Sequence, residues 1–302
     1  MATTTSTDLI AYVTEALVPE EVSTFFSNNT LTSLFPPEPA PPGDSIDWAV
    51  NYGPSTNYAT TYGEDDAAPQ PNVEVVLNPE VAKQPFAVTA KISNVALDYL
   101  RDNRAGLDML TWDIKQKTRQ LLDLVNTTLL STFETTAIDA TATYGGVVRA
   151  TYTAWGSYES AVNTTHALSQ LEDMYEALLD NDRAVNVGDL ICLMPFNQIT
   201  NYSRVSGNLT THPTVVLPGQ PVDAGLASRL MFNGVPIIGV PDMTDTVVMM
   251  GEKSQVHIYE TRPVTVTPQG VRGDYQEFLI TCNYQIAVMN PAKWGKVTGV
   301  TA

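Results

Sequence analysis

The tetrapeptide Gly251-Glu252-Lys253-Ser254 approaches the Gly-Lys-Ser of a phosphate-binding loop. Such a loop needs a glycine five residues ahead of a contiguous Gly-Lys-Ser/Thr, so that backbone N–H groups curl around the phosphates. Here Glu252 splits the glycine from the lysine, Thr246 stands where the earlier glycine belongs, and the glutamate carboxylate would repel an anion. Residues 255–259 alternate polar and apolar, as a strand does, rather than opening a helix. The pattern predicts a hairpin instead: strand 247–250, a glycine-containing turn over 251–254, and strand 256–260.

Other reactive side chains are scattered. His166, His212 and His257 lie far apart, without metal-type spacing and without a Cys-x-x-Cys nearby. His166 reads as a helix-start residue and His257 as a strand residue. There is no Gly-x-Ser-x-Gly elbow and no Gly-x-Gly-x-x-Gly. Glu64-Asp65-Asp66 is a carboxylate cluster, either a trap for a divalent cation or a solvated loop, and it lacks the glycine-punctuated spacing of a calcium loop. Cys192 and Cys282 sit in apolar, strand-like contexts and read as buried free thiols of a reducing compartment rather than a disulfide. No catalytic residue, metal ligand or cofactor site is expected. That shifts the weight from an enzyme toward assembly.

The charge is distributed unevenly. The chain of 302 residues carries a net −17. Residues 1–82 hold acids and no lysine or arginine, so all sixteen bases come later. This balance argues against specific nucleic-acid binding by the chain as a whole, because neutralising phosphates takes clustered bases. An acidic surface still tolerates DNA nearby. No apolar run reaches the ~18 residues of a membrane span, and the first residues, Met-Ala-Thr-Thr-Thr-Ser-Thr, do not read as a secretory signal.

The elements that would carry any surface follow from periodicity. A proline-rich stretch over 35–43 predicts an extended arm rather than a packed element. Ile46, Trp48, Val50 and Tyr52 alternate as a strand whose expected partner is 84–93. The acidic, Gly/Pro-rich residues between them are too long for a structureless loop inside a compact domain, and make better sense as a projection that meets another chain. From 95 to 134, Leu107, Leu110, Ile114, Leu121, Val125 and Leu129 recur at steps of three, four or seven, predicting a long helix, broken near Gly106, whose apolar face packs on a sheet including 275–289. Its polar face carries Arg101, Arg104, Lys115, Lys117 and Arg119, either a solvated face or a docking strip for an acidic element. Residues 138–163 read as loop or short hairpin. Helices are expected at 166–179, about 195–204 and 224–231, with a mobile region over 206–221 before the last, and strands at 189–194, 235–240, 264–267 and 275–289. The class is α+β.

This order resembles the major capsid proteins of tailed bacteriophages, the Hong Kong 97-type shell fold. In that family a Gly-x-Pro-hydrophobic strand, a Pro-x-Met turn and a hydrophobic-Gly-Asp turn recur in sequence; here they are Gly234-Val-Pro-Ile, Pro241-Asp-Met243 and Met250-Gly251-Glu252, the last with glutamate for aspartate. The resemblance implies an N-terminal arm (1–44), an extended hairpin or E-loop (45–93), a peripheral domain with a spine helix (94–165), an axial domain (166–262) and return strands to the peripheral domain (263–302). It implies a non-enzymatic subunit that self-assembles as hexamers and pentamers into an icosahedral shell around double-stranded DNA, made in the host cytoplasm and residing in the virion. Partners would be other copies, scaffolding, portal and cement or decoration proteins, with packaged DNA touched non-specifically and no membrane. No long scaffold-like segment precedes the arm, which implies a separate scaffolding protein or none. Lys83 and Lys91 sit at the base of the loop, where a maturation crosslink is not expected. The inter-subunit candidates are Glu64, Asp65 and Asp66 on one chain against Arg101, Arg104, Lys115, Lys117 and Arg119 on its neighbour. An encapsulin-type nanocompartment shell is the same-fold alternative; an acidic hydrolase or carbohydrate-binding protein is the alternative from another class.

Overall fold

The computed structural model describes residues 30–52, 75–95, 109–165, 168–179, 185–205 and 231–301. The described residues open with a one-turn helix α1 (Thr30–Leu34) and short strands β1 (Glu38–Pro39), β2 (Ser45–Asp47), β3 (Val50–Tyr52), β4 (Val75–Leu77) and β5 (Glu80–Ala82). Strand β6 (Gln84–Ser93) and the long helix α2 (Met109–Thr132) follow, the latter running into a π-helical turn at Phe133–Ala137. Next come β7 (Thr143–Tyr144), β8 (Val147–Val148), β9 (Tyr158–Thr165), α3 (Leu168–Leu179), β10 (Leu190–Met194) and α4 (Phe196–Val205). The chain closes through β11 (Met231–Phe232), β12 (Val235–Gly239), β13 (Val248–Glu252), β14 (Val256–Arg272), β15 (Tyr275–Val288) and β16 (Trp294–Thr301). Two compact units result, one of residues 1–42, 83–130 and 258–286, the other of 43–82, 131–257 and 287–302.

The first unit is built on a sheet of order β1-β14-β15-β6. β6 and β15 form an unbroken antiparallel ladder from Ser93 opposite Tyr275 to Gln84 opposite Tyr284. Alternation decides what is buried: Phe86, Ala90 and Ile92 on β6, Ile280 and Cys282 on β15. On α2, Leu121, Val125 and Leu129 recur every fourth residue and are all buried. Ile114 is half-buried, and the side chain of Leu110 lies outside the described residues. Leu31, Leu34 and Phe35 are buried as well, and the Leu31 N–H donates to Asn126 Oδ1 at 3.2 Å. The expected arm is therefore anchored over this stretch: an apolar i, i+3, i+4 triplet on α1 packs, and β1 then joins β14. Pro36 and Pro37 stay exposed.

The second unit holds a mixed sheet of order β11-β12-β10-β13-β16-β9. Its central strands, β10 and β13, are buried at every position. Leu171, Met174 and Leu178 on one face of α3, with Ile199 and Tyr202 of α4, pack in one cluster with Val248, Met250, Val297 and Val300. Residues 158–165, read as loop or short hairpin as far as 163, and 294–301, within the expected return strands, are paired in parallel as β9 and β16.

Three pairings differ from expectation. Strand 45–52 does not pair with 84–93; β2 pairs with β5 and β3 with β4. The break at Trp48-Ala49 matches the break at Asn78-Pro79, whereas the unbroken β6 finds an equally unbroken partner in β15. Residues 247–260 are not a hairpin. β13 is flanked on both edges by β10 and β16, leaving β14 to enter the other sheet through a 3₁₀ turn at Lys253–Gln255. The strand expected at 264–267 is part of β14, which runs on through Pro263 and Pro268. Residues 138–163 include the small β7–β8 hairpin, as expected. The helix expected at 224–231 and the region 206–221 lie outside the described residues, apart from Met231, which is in β11.

Candidate assembly surfaces

The described part of the expected basic strip lies on α2. Lys115 is exposed and Arg119, one turn on, is half-buried on the same side. Lys117 projects to another side of the helix, where its Nζ donates to Gln120 Oε1 at 3.2 Å. The structure thus brings Lys115 and Arg119 together and sets Lys117 apart. Glu64, Asp65, Asp66, Arg101 and Arg104 lie outside the described residues. One turn before Lys117 stands Asp113, buried, with an Oδ2 that has no hydrogen-bond partner. Burial pushes its carboxyl above the usual range, opposed by Lys117. Periodicity could not single out this aspartate, because it stands about a quarter turn off the apolar stripe of Leu110, Ile114, Leu121 and Val125, where the pattern gives no sign of burial.

The Gly251–Ser254 stretch is a structural node. A side chain on Gly251 would collide with the Trp294 ring, which is why glycine stands inside a buried strand. The Trp294 indole N–H donates to the Glu252 carbonyl at 3.0 Å. The Glu252 carboxylate receives the Ser254 hydroxyl at 2.7 Å, the Asn186 N–H at 3.3 Å and the Lys293 ammonium at 2.9 Å. Burial opposes its ionisation, but these partners outweigh burial and hold the carboxyl below its ordinary range. The lysine and serine of the apparent phosphate motif follow the strand, and Ser254 serves Glu252.

A second network fixes the end of the spine. Arg149 is fully buried and donates to the carbonyls of Ala142 at 2.8 Å, Ala137 at 2.8 Å and Thr136. It thereby caps the carbonyls of the π-helical turn, while its guanidinium lies 5.5 Å from the Tyr144 ring centroid. Tyr144 in turn accepts the Val288 N–H at 2.8 Å. Buried Lys296 donates to the Glu134 carbonyl at 3.1 Å and faces Glu159 at 3.3 Å and Asp139 at 3.9 Å. Burial raises the Asp139 carboxyl, but N–H groups of Ala142 and Thr141, with Lys296 and Arg149, bring it below the ordinary value. The Glu134 carboxylate holds the loop before β13, accepting from Thr244 N–H at 3.1 Å and Oγ1 at 2.7 Å. These groups join the turns around the end of α2 by hydrogen bonds and ion pairs. Among the described residues no cluster of His, Cys, Asp and Glu could hold a metal ion, and both cysteines are free and buried.

No family model and no curated protein matches the chain. Solved structures do. A chain of the cyanophage A-1(L) capsid asymmetric unit superposes at TM-score 0.71 with 13% identity, over 95% of this chain and 98% of that one. The capsid of a native GTA particle matches at TM-score 0.65 and 16% identity, over 97% and 98% of the two chains. The holo-SrpI encapsulin from Synechococcus elongatus PCC 7942 matches at 0.59 and 13%, over 97% and 95%. The architecture is the α+β fold of shell-forming proteins. It is the Hong Kong 97-type fold, covered from end to end.

Proposed function

We propose that this chain is the major capsid protein of a tailed phage, self-assembling as hexamers and pentamers into the icosahedral shell around a double-stranded DNA genome. The supporting observation is the end-to-end superposition on the cyanophage capsid chain, with almost nothing left over on either side. The parts read as arm 1–44, E-loop 45–93, peripheral domain with spine helix 94–165, axial domain 166–262 and return strands 263–302. The protein is structural and has no catalytic role. It resides in the virion after assembly in the host cytoplasm, with scaffolding, portal and cement proteins as partners and DNA held non-specifically.

Acidic residues Glu64, Asp65 and Asp66 of one copy meet bases of a neighbour, the candidates being Arg101, Arg104, Lys115, Lys117 and Arg119. The charge division supports this, since no base precedes Lys83. Each exposed pair contributes only ~0–1 kcal/mol, but the contact repeats over every subunit. The likeness to an encapsulin supports a second reading, a nanocompartment shell around a cargo enzyme. Purified particles separate the two. Nuclease-resistant DNA inside supports the capsid; an enclosed protein in place of DNA supports the nanocompartment.

A further inference from the structure

The β2–β5 and β3–β4 pairs are two pieces of one ribbon. β2 pairs with β5 as far as Asp47 opposite Glu80, and β3 with β4 from Val50 opposite Leu77. Trp48-Ala49 on one strand faces Asn78-Pro79 on the other, so the register carries through and only the hydrogen bonding lapses. The Trp48 N–H donates to the Pro79 carbonyl at 3.2 Å, but Pro79 has no N–H to return the bond. A two-stranded ribbon is marginally stable on its own, and a break across both strands is its weakest point. Its own bonds therefore do not fix the angle between the two pieces.

The β7–β8 hairpin touches both strands at that break. Its turn, Gly145-Gly146, has φ of 56° and 77°, the left-handed pair that a two-residue hairpin demands. The Gly145 carbonyl accepts the Glu80 N–H at 2.9 Å. A Cβ on Gly145 would stand 2.8 Å from the Pro79 Cβ and 2.9 Å from the Glu80 nitrogen, so the turn is seated against this strand; Gly146 has open space around it. On the other strand, the Trp48 ring centroid lies 6.0 Å from that of Tyr144, and the indole N–H donates to the Met289 carbonyl at 2.9 Å. The hairpin is held in turn, because Tyr144 accepts the Val288 N–H and the buried Arg149 guanidinium lies over its ring.

We infer that residues 48–49 and 78–79 form a hinge in the ribbon, and that the β7–β8 turn is the brace that holds this hinge at one angle. The brace acts within a single subunit and depends neither on assembly nor on what a shell encloses. It gives the turn a requirement beyond its φ: position 145 must carry no side chain, because Pro79 and Glu80 occupy the place where one would stand. Trp48 completes the hold from the opposite strand, through one ring contact and one hydrogen bond. A ribbon set at one angle has less order left to impose when it makes a contact, which lowers the cost of binding.

The angle is read in the full chain, as dissociated subunits, from the distance between nitroxide labels on Val76→Cys and Val187→Cys. Val76, on β4, is 53% exposed and Val187 48%, while the native thiols Cys192 and Cys282 are buried. In this labelled background, Gly145→Ala is compared with Gly146→Ala. Each puts a side chain on a left-handed φ, but only the first meets Pro79. The expected result is a narrow distance distribution with both glycines intact and in Gly146→Ala, and one at least doubled in width in Gly145→Ala. A distribution already broad with both glycines intact, or the same distribution in both variants, overturns the brace. Trp48→Phe keeps both glycines and loses the bond to Met289. Where a glycine variant does not fold, this variant decides: broadening supports the brace and no change overturns it.

Discussion

Replacing Arg149 by methionine isolates the cap on the end of the spine. Methionine keeps most of the volume, so little cavity is left, and Lys296 still faces Asp139 and Glu159. What is lost are three donors. The Ala137 carbonyl belongs to a fully buried residue and stays dry, at a cost of about 1–3 kcal/mol for an unsatisfied buried acceptor. Thr136 and Ala142 are half-buried, so water replaces part of their bonds and each loss is about 0.5–1.5 kcal/mol. The expected total is about 2–6 kcal/mol, read as the drop in unfolding free energy of dissociated subunits in urea. Arg149→Lys keeps the charge but cannot span three carbonyls, and should fall between wild type and methionine. A loss below about 1 kcal/mol for Arg149→Met would refute the cap, because buried charges alone are often replaceable by apolar groups without penalty.

Leu121→Ala, at a side chain 1% exposed, should cost roughly 2–5 kcal/mol by the same urea assay and lower soluble yield. Gly251→Ala forces a collision with Trp294 and should be recovered, in part, by Trp294→Phe, measured by thermal melting of subunits. Asp139 and Glu252 have folded values below their ordinary ones, so they stabilise above the unfolded carboxylate range and that stability is lost as pH falls through the folded values. Subunit melting should therefore be flat from about pH 7 to 5 and drop below about pH 4, and Asp139→Asn with Glu252→Gln should flatten the drop. Neutralising the acidic tip as Glu64→Gln, Asp65→Asn and Asp66→Asn should lower particle melting at low salt and match wild type at high salt, where exposed pairs are screened; equal melting at low salt means the tip is merely solvated.

The long-period features were legible in the sequence. Leu121, Val125 and Leu129 announce α2, Leu171, Met174 and Leu178 announce α3, and the alternation of 275–288 announces β15, because each pattern extends over several turns or pleats. Partners were less legible. The hydrophobic pattern of 84–93 says which face is buried but not which strand lies beside it, and β15 follows almost two hundred residues later. Gly251 mimicked a turn residue because a Trp294 ring, forty-three positions on, demands the missing side chain; nothing local records it. Nothing in the sequence marks Arg149 and Lys296 as buried, since burial of a cation depends on carbonyls and carboxylates that only the fold assembles. The sequence puts Lys115, Lys117 and Arg119 on one polar face; in the structure Lys115 and Arg119, one turn apart, share a side, while Lys117, adjacent to buried Gln116, turns toward Gln120.

Electron microscopy of the purified protein tests the central claim most directly. Closed shells of megadalton mass, built from pentameric and hexameric clusters, are the predicted result. A uniform population of 32.8 kDa monomers under conditions that favour assembly would contradict it.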